Sequence, residues 1–191
     1  MARPRSFDPD AVLDLARDVF WQNGFHGTSL DDITAATGLA KPSLYAAFGD
    51  KNALFLTVLE RYHARIVAKA EQIINDGPSA REAIGRWLTG FVPFCSGVKG
   101  KRGCLSINTS VDGASVQKEV RKQVEGFNRK LEELLRTRLR ADRAQFSDGF
   151  DPDAVAHTIM AVYTGLMVLA RDAPDAARVR ATLDQALKLL A

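Results

Sequence analysis

The stretch GLAKPSLYAAFGDK, residues 38–51, decides how the rest of the chain is read. Glycines stand near both ends and a proline near its start, so it looks at first like a helix interrupted before it can form. Proline is costly only in a helix interior, because in the first turn its missing N–H has no partner to lose. It also disfavours the α conformation in the residue before it, which places Lys41 outside the helix and Pro42 at its first position. Gly49 stops the element and Asp50 caps the next. Within it Leu44 and Phe48, four residues apart, face inward together, while Lys41, Ser43, Tyr45 and Ala46 point elsewhere. A packing filler would not need lysine, serine and tyrosine along its outer side.

Helical periodicity continues on both sides and the alternation that marks strands is absent, so the fold class is all-α, with about nine helices. Upstream, a first helix starts at Asp8-Pro9, carries Val12, Leu13, Ala16, Val19 and Phe20 on one stripe, and stops at Asn23-Gly24. A second, residues 30–37, is capped by Thr28 or Ser29 with Asp31 or Asp32 three residues on, and Gly38 ends it. Downstream, a long helix over residues 51–74 joins two halves of the molecule. One helix is expected over 80–95 and a short element over 104–110. A long amphipathic helix follows over 115–143, with Val116, Val120, Val124, Phe127, Leu131 and Leu134 inward. Two last helices span 153–171 and 175–190, the first so apolar that it wants partners on more than one side.

Two short helices joined by a glycine turn, the second exposing polar side chains, make a helix-turn-helix. A helix laid in the major groove needs only about two turns of contact, which explains the brevity of the third one. The segment TSLDDITAATGLAKPSLYAAFGDKNALF, residues 28–55, resembles the DNA-binding part of the tetracycline-repressor (TetR) family of bacterial transcription regulators. The resemblance is close over the first quarter of the chain and extends beyond it in length and helical plan. Thr34 and Thr37 stand where small apolar residues are commoner in that family, and Ala46 and Ala47 where larger ones are. The resemblance implies a DNA-binding domain over residues 1–50 and a ligand-binding and dimerisation domain over 51–191. It also implies that Lys41, Pro42, Ser43 and Tyr45 contact the major groove and phosphates of double-stranded operator DNA, with Thr28 and Lys51 gripping the backbone. Arg3 and Arg5 form a basic arm able to reach a minor groove.

Bulk charge does not carry this reading. The net charge is +3, yet over residues 1–51 Arg3, Arg5, Arg17, Lys41 and Lys51 face seven aspartates. Nucleic-acid contact has to come from local placement. No apolar run approaches the roughly 18 residues of a membrane span, and the N-terminus lacks the apolar core of a secretory signal, so the expected location is cytoplasmic, with no membrane partner. Cys95 and Cys104 match neither a redox pair nor a zinc site, and no metal or cofactor is expected. No G-x-S-x-G elbow, phosphate-binding glycine loop or H-E-x-x-H helix appears, and His26, His63 and His157 are scattered, so an enzyme is not the expected class. A helical adaptor acting through protein–protein contacts is the alternative to a regulator.

For the second half the resemblance implies dimerisation through the last two helices and a pocket for a small-molecule effector. Tyr62, His63, Trp87, Phe91, Phe94, Phe127, Met160, Tyr163 and Met167 are the candidate lining; for each, core packing is the competing role. In KRGCLSINTS, residues 101–110, Cys104 follows Lys101 and Arg102 and opens a helix, settings that favour a thiolate. Some members with a similar glycine-cysteine-leucine motif respond to electrophiles or oxidants, which makes Cys104 a candidate sensor with Cys95 as its resolving partner.

Overall fold

The computed structural model describes residues 7–96, 102–113, 117–172 and 175–190. Arg3, Arg5, Lys101 and Val116 lie outside the described residues. Among those described, all regular structure is helical: α1 (Pro9–Gly27), α2 (Leu30–Thr37), α3 (Lys41–Phe48), α4 (Lys51–Asn75), α5 (Ala80–Thr89), α6 (Val92–Ser96), α7 (Leu105–Val111), α8 (Lys118–Ala141), α9 (Pro152–Leu169) and α10 (Ala176–Leu187).

Local chemistry sets most boundaries. Asp8 caps α1 by accepting from the Asp10 N–H, with Pro9 next. The helix breaks at Gly24, whose φ of 71° is open to glycine and strained for other residues. Ser29 caps α2 in a reciprocal box: its hydroxyl accepts from the Asp32 N–H at 3.1 Å while the Asp32 carboxylate accepts from the Ser29 N–H at 2.8 Å. Replacing Ser29 by alanine is expected to cost about 1 kcal/mol, read as a lower midpoint of thermal unfolding.

Two boundaries differ from the expectation. Lys41 lies inside α3 rather than before it, with Ala40 as the cap residue accepting from the N–H groups of Ser43 and Leu44. The bias before proline is a preference, and in a first turn no earlier helical carbonyl stands against the ring. The single helix expected over 80–95 is two, α5 and α6. Pro93 has no N–H to offer the Thr89 carbonyl and its ring would strike it, so the chain turns at Gly90 and Phe91 before resuming.

The core runs through both halves. α4 lies along α8, and α8 along α9. Val120, Val124, Phe127, Leu131, Leu135 and Leu139 form the buried stripe of α8, with Leu135 inside and Leu134 half-buried. At the other end Phe20 and Phe25 of α1 meet Phe55 of α4 at 4.8 and 4.9 Å between ring centroids. Arg61–Asp10 and Arg65–Asp14 ion pairs, both 2.6 Å, lace the same two helices at their edges. Exposed pairs of this kind add little, so the aromatic cluster dominates the joint. Contrary to the expectation that no segment approaches a membrane span, α9, 18 residues with a mean hydropathy of 1.2, is long and apolar enough for one by length and composition alone, as core helices also are; only part of it is buried in the chain, and Val168 and Leu169 are exposed.

Candidate nucleic-acid interface and effector core

The helix-turn-helix is built by a few apolar residues. Ile33 of α2 and Leu44 of α3 are buried against α1 and α4, and Phe48 packs against Phe7 with ring centroids 6.4 Å apart. Gly38 turns the chain between the helices in the left-handed region, φ 70°. With Leu44 pinned, Lys41, Pro42, Ser43, Tyr45 and Ala46 are all exposed. Tyr45 is a large aromatic side chain left 47% exposed, which the packing of the chain itself does not require.

Charge on this face is partly held in reserve. Lys41 Nζ lies 2.7 Å from Asp31 Oδ1 of α2, and that hydrogen bond holds its ammonium above the usual lysine range. A phosphate would have to displace Asp31 to pair with Lys41. Thr28 and Lys51 are placed differently. Thr28 is buried and its hydroxyl donates to the Gly24 carbonyl at 2.7 Å. Lys51 Nζ donates to the carbonyls of Phe25 and Thr28 at 2.9 and 2.8 Å and sits 4.4 Å from the Phe25 ring centroid. Both side chains are thus engaged inside the joint between α1, α2 and α4, not aimed outward.

In the second half the aromatic residues gather round one sulfur. Cys104, the residue before α7, is 1% exposed. Its Sγ accepts from the Tyr62 hydroxyl of α4 at 3.4 Å and from the Tyr163 hydroxyl of α9 at 3.7 Å. Burial pushes both phenols well above their usual range, with the nearby Cys104 sulfur adding to it, so they stay protonated donors. Trp87 and Phe91 pack on Tyr163 at 5.4 and 5.1 Å. Met160 and Met167 are buried, and Phe94 is half-buried, in the same core. Cys95 is buried with Sγ 3.9 Å from the Leu166 carbonyl, and burial pushes its thiol up to about 11.

His63, whose ring lies 6.0 Å from that of Tyr62, and Phe127 adjoin this group at the side of a half-open cleft of about 490 Å³ between α4 and α8, whose rim carries Glu60, Glu71, Lys122 and Lys130. Their rings stack at 4.4 Å, and His63 Nε2 is 2.9 Å from Ser106 Oγ of α7. Burial first, and then Lys130, lower the His63 pKa to about 4. The unfolded chain binds a proton near pH 6.5 that the folded chain refuses until about pH 4, so stability is lost as the pH falls through that window. Between pH 7 and 5 the wild type is expected to lose about 1–2 kcal/mol more than His63→Gln, measured by denaturant unfolding at both pH values.

Comparison with known proteins places the chain. Residues 12–58 match the family model described as bacterial regulatory proteins, tetR family, and residues 81–186 match a tetracyclin repressor-like C-terminal domain. The chain belongs to the TetR family. It is a DNA-binding transcriptional regulator. The HTH-type transcriptional repressor ComR of Escherichia coli K12 is 31% identical over 175 residues, 89% of this chain and 82% of ComR. A cysteine-substituted form of the TetR-family regulator CifR, solved with a 26-base-pair double-stranded operator, superposes with a TM-score of 0.83 at 31% identity, covering 98% of each chain. Reduced NemR of E. coli shares the fold at 21% identity and a TM-score of 0.83, over 93% of each chain.

Within this TetR-family chain, sequence pattern did not single out Asp31 as the partner of Lys41, nor Trp21 of α1. The indole N–H of Trp21 donates to the Arg102 carbonyl at 2.9 Å. Asp31 was legible in principle, since acids in a first turn are read as helix-dipole partners and this one also faces the next helix. Trp21 was not, because its partner lies 81 residues away.

Proposed function

We propose that the chain is a repressor that binds a two-fold symmetric operator as a homodimer and releases it when a soft electrophile or an oxidant modifies Cys104. Residues 1–50 serve as the reading head and 51–191 as the sensing and dimerising body. Lys41, Pro42, Ser43 and Tyr45 make the contacts to DNA, Lys41 to phosphate and Tyr45 and Pro42 at base edges. Thr28 and Lys51 support them by holding the end of α1 rather than by touching DNA with their side chains.

The observation that carries the effector reading is the pair of phenol hydroxyls on the Cys104 sulfur. An α,β-unsaturated carbonyl fits such a site chemically. The sulfur bonds to the β-carbon, the C=C π bond opens, and the thiol proton ends on the α-carbon, while a phenol O–H donates to the carbonyl oxygen and stabilises the charge that develops there. The resulting adduct has no room in a site already closed, and release follows if the enlarged side chain is better accommodated in a shape that does not fit the operator. CifR, similar along its whole length, has been solved on operator DNA with cysteines replaced.

The test is N-ethylmaleimide. Treated wild type is expected to lose operator affinity, with the adduct located on Cys104 by peptide mass spectrometry, and Cys104→Ser to keep its affinity under the same treatment. Equal loss in both proteins would assign the effect to another group. A second, reversible effector in the α4–α8 cleft is favoured by one observation, the 490 Å³ volume beside His63 and Phe127. Protection of the cleft lysines from acylation by a bound small molecule would support it.

A further inference from the structure

The segment just before Cys104 is tied to the DNA-binding half by an unusual knot. The Arg102 carbonyl accepts two N–H donors, the Trp21 indole at 2.9 Å and the Asn108 side-chain amide at 2.7 Å, and the Arg102 guanidinium reaches Asp18 of α1 at 3.3 Å. Two residues on is Cys104. Its sulfur accepts from Tyr62, and the Tyr62 ring meets the Trp21 ring edge-on at 5.2 Å and 75°. Trp21 therefore touches the sulfur's surroundings twice, once through the main chain that carries Cys104 and once through the phenol bonded to it.

That loop has little slack. Gly103 has φ 62°, and a Cβ there would lie 2.9 Å from the Met167 carbonyl, so the backbone has no room to retreat toward α9. A group added to a sulfur 1% exposed has to displace Tyr62 or push residues 102–104 outward. Either displacement disturbs Trp21. The indole lies one turn before the break at Gly24, and beyond the break the carbonyls of Phe25 and Thr28 are gripped by Lys51 at the entrance to α2. A shift there tilts the helix-turn-helix relative to the body.

We infer that Trp21 is the positioning residue that couples the state of the Cys104 sulfur to the DNA-binding head, with its N–H bond to the Arg102 carbonyl as the joint. This rests on Cys104 being the sensing thiol. It supplies a route into α1 through the main chain of residues 102–104 as well as through Tyr62 of α4. Contiguity alone is not coupling, so the quantity that decides is how much of the response disappears when the joint is cut.

Trp21→Phe keeps a ring against Tyr62 and removes the N–H. Untreated, the variant is expected to remain folded and to bind operator within about 3-fold of wild type, whereas the loss on N-ethylmaleimide treatment falls from about 30-fold in wild type to under about 5-fold. Mass spectrometry should find the same Cys104 adduct in both proteins. Equal loss in wild type and variant would overturn the Trp21 joint and leave the sensing role of Cys104 standing. An adduct on wild-type Cys104 with operator affinity unchanged would overturn both. A second measurement leaves Trp21 in place: with Trp87→Phe, which keeps a ring beside Tyr163, Trp21 is the only one of the chain's 2 tryptophans left. Its emission should shift when Cys104 is modified without DNA present, and a spectrum that does not move would overturn the joint.

Discussion

Tyr45→Ala is expected to weaken operator binding by roughly 30-fold or more without changing the unfolding midpoint. Tyr45 is 47% exposed and α3 is pinned by Leu44, so removing the tyrosine ring leaves no cavity and no unpaired buried group. A contact worth about 1 kcal/mol is lost at each of two half-sites, and about 2 kcal/mol in total is roughly 30-fold. Lys41→Ala separates the two kinds of contact. If Lys41 leaves Asp31 for a phosphate, its loss lowers the slope of log affinity against log salt by about 0.9 per contact, or roughly 1.8 for a dimer. Tyr45→Ala should leave that slope as it was. Fluorescence anisotropy with labelled operator at several salt concentrations reads both numbers; an unchanged affinity for Tyr45→Ala would remove α3 from the groove.

The recognition helix was legible because its rules are local. Proline in a first turn, glycine near each end and two apolar residues four apart all act within residues 38–49, and they place α3 to within one residue. The fifth helix was misread for the same kind of reason: its apolar spacing runs on past the glycine and proline that divide it, and Pro93 had to be weighed against that periodicity. What pattern could not show was where side chains spend their hydrogen bonds. A lysine opening α4 looks like a phosphate ligand until the carbonyls of Phe25 and Thr28 are found beneath it. Cys104 was visible as a thiol in a suggestive motif, but Tyr62 and Tyr163 lie 42 and 59 residues away. Only the crossing of α4, α7 and α9 brings them to the same sulfur.

Dimerisation gives the second large effect, through Gly165→Arg on α9. The outer face of α9 exposes Ala154, Thr158, Ala161, Gly165 and Val168 at spacings of three and four, a row of small and apolar residues on which two helices can approach closely. A Cβ built on Gly165 meets nothing within 4 Å in the single chain. An arginine there has space in the monomer, and relative to glycine it favours the helix by several tenths of a kcal/mol. Stability of the isolated chain should therefore hold or rise. Facing a second copy, the same side chain brings volume and an unpaired charge into an apolar contact, which is strongly unfavourable. The expected result is a folded monomer by sedimentation, with operator affinity reduced by about 100-fold or more, because one head then binds without the effective concentration its partner supplied. Two heads have to sit about 34–36 Å apart to read successive turns of one face, and in the homodimer we propose that spacing is set by how α9 and α10 pair. If Gly165→Arg remained dimeric, the heads would have to be spaced by some other surface of the chain, and the symmetric-operator reading would need a different axis.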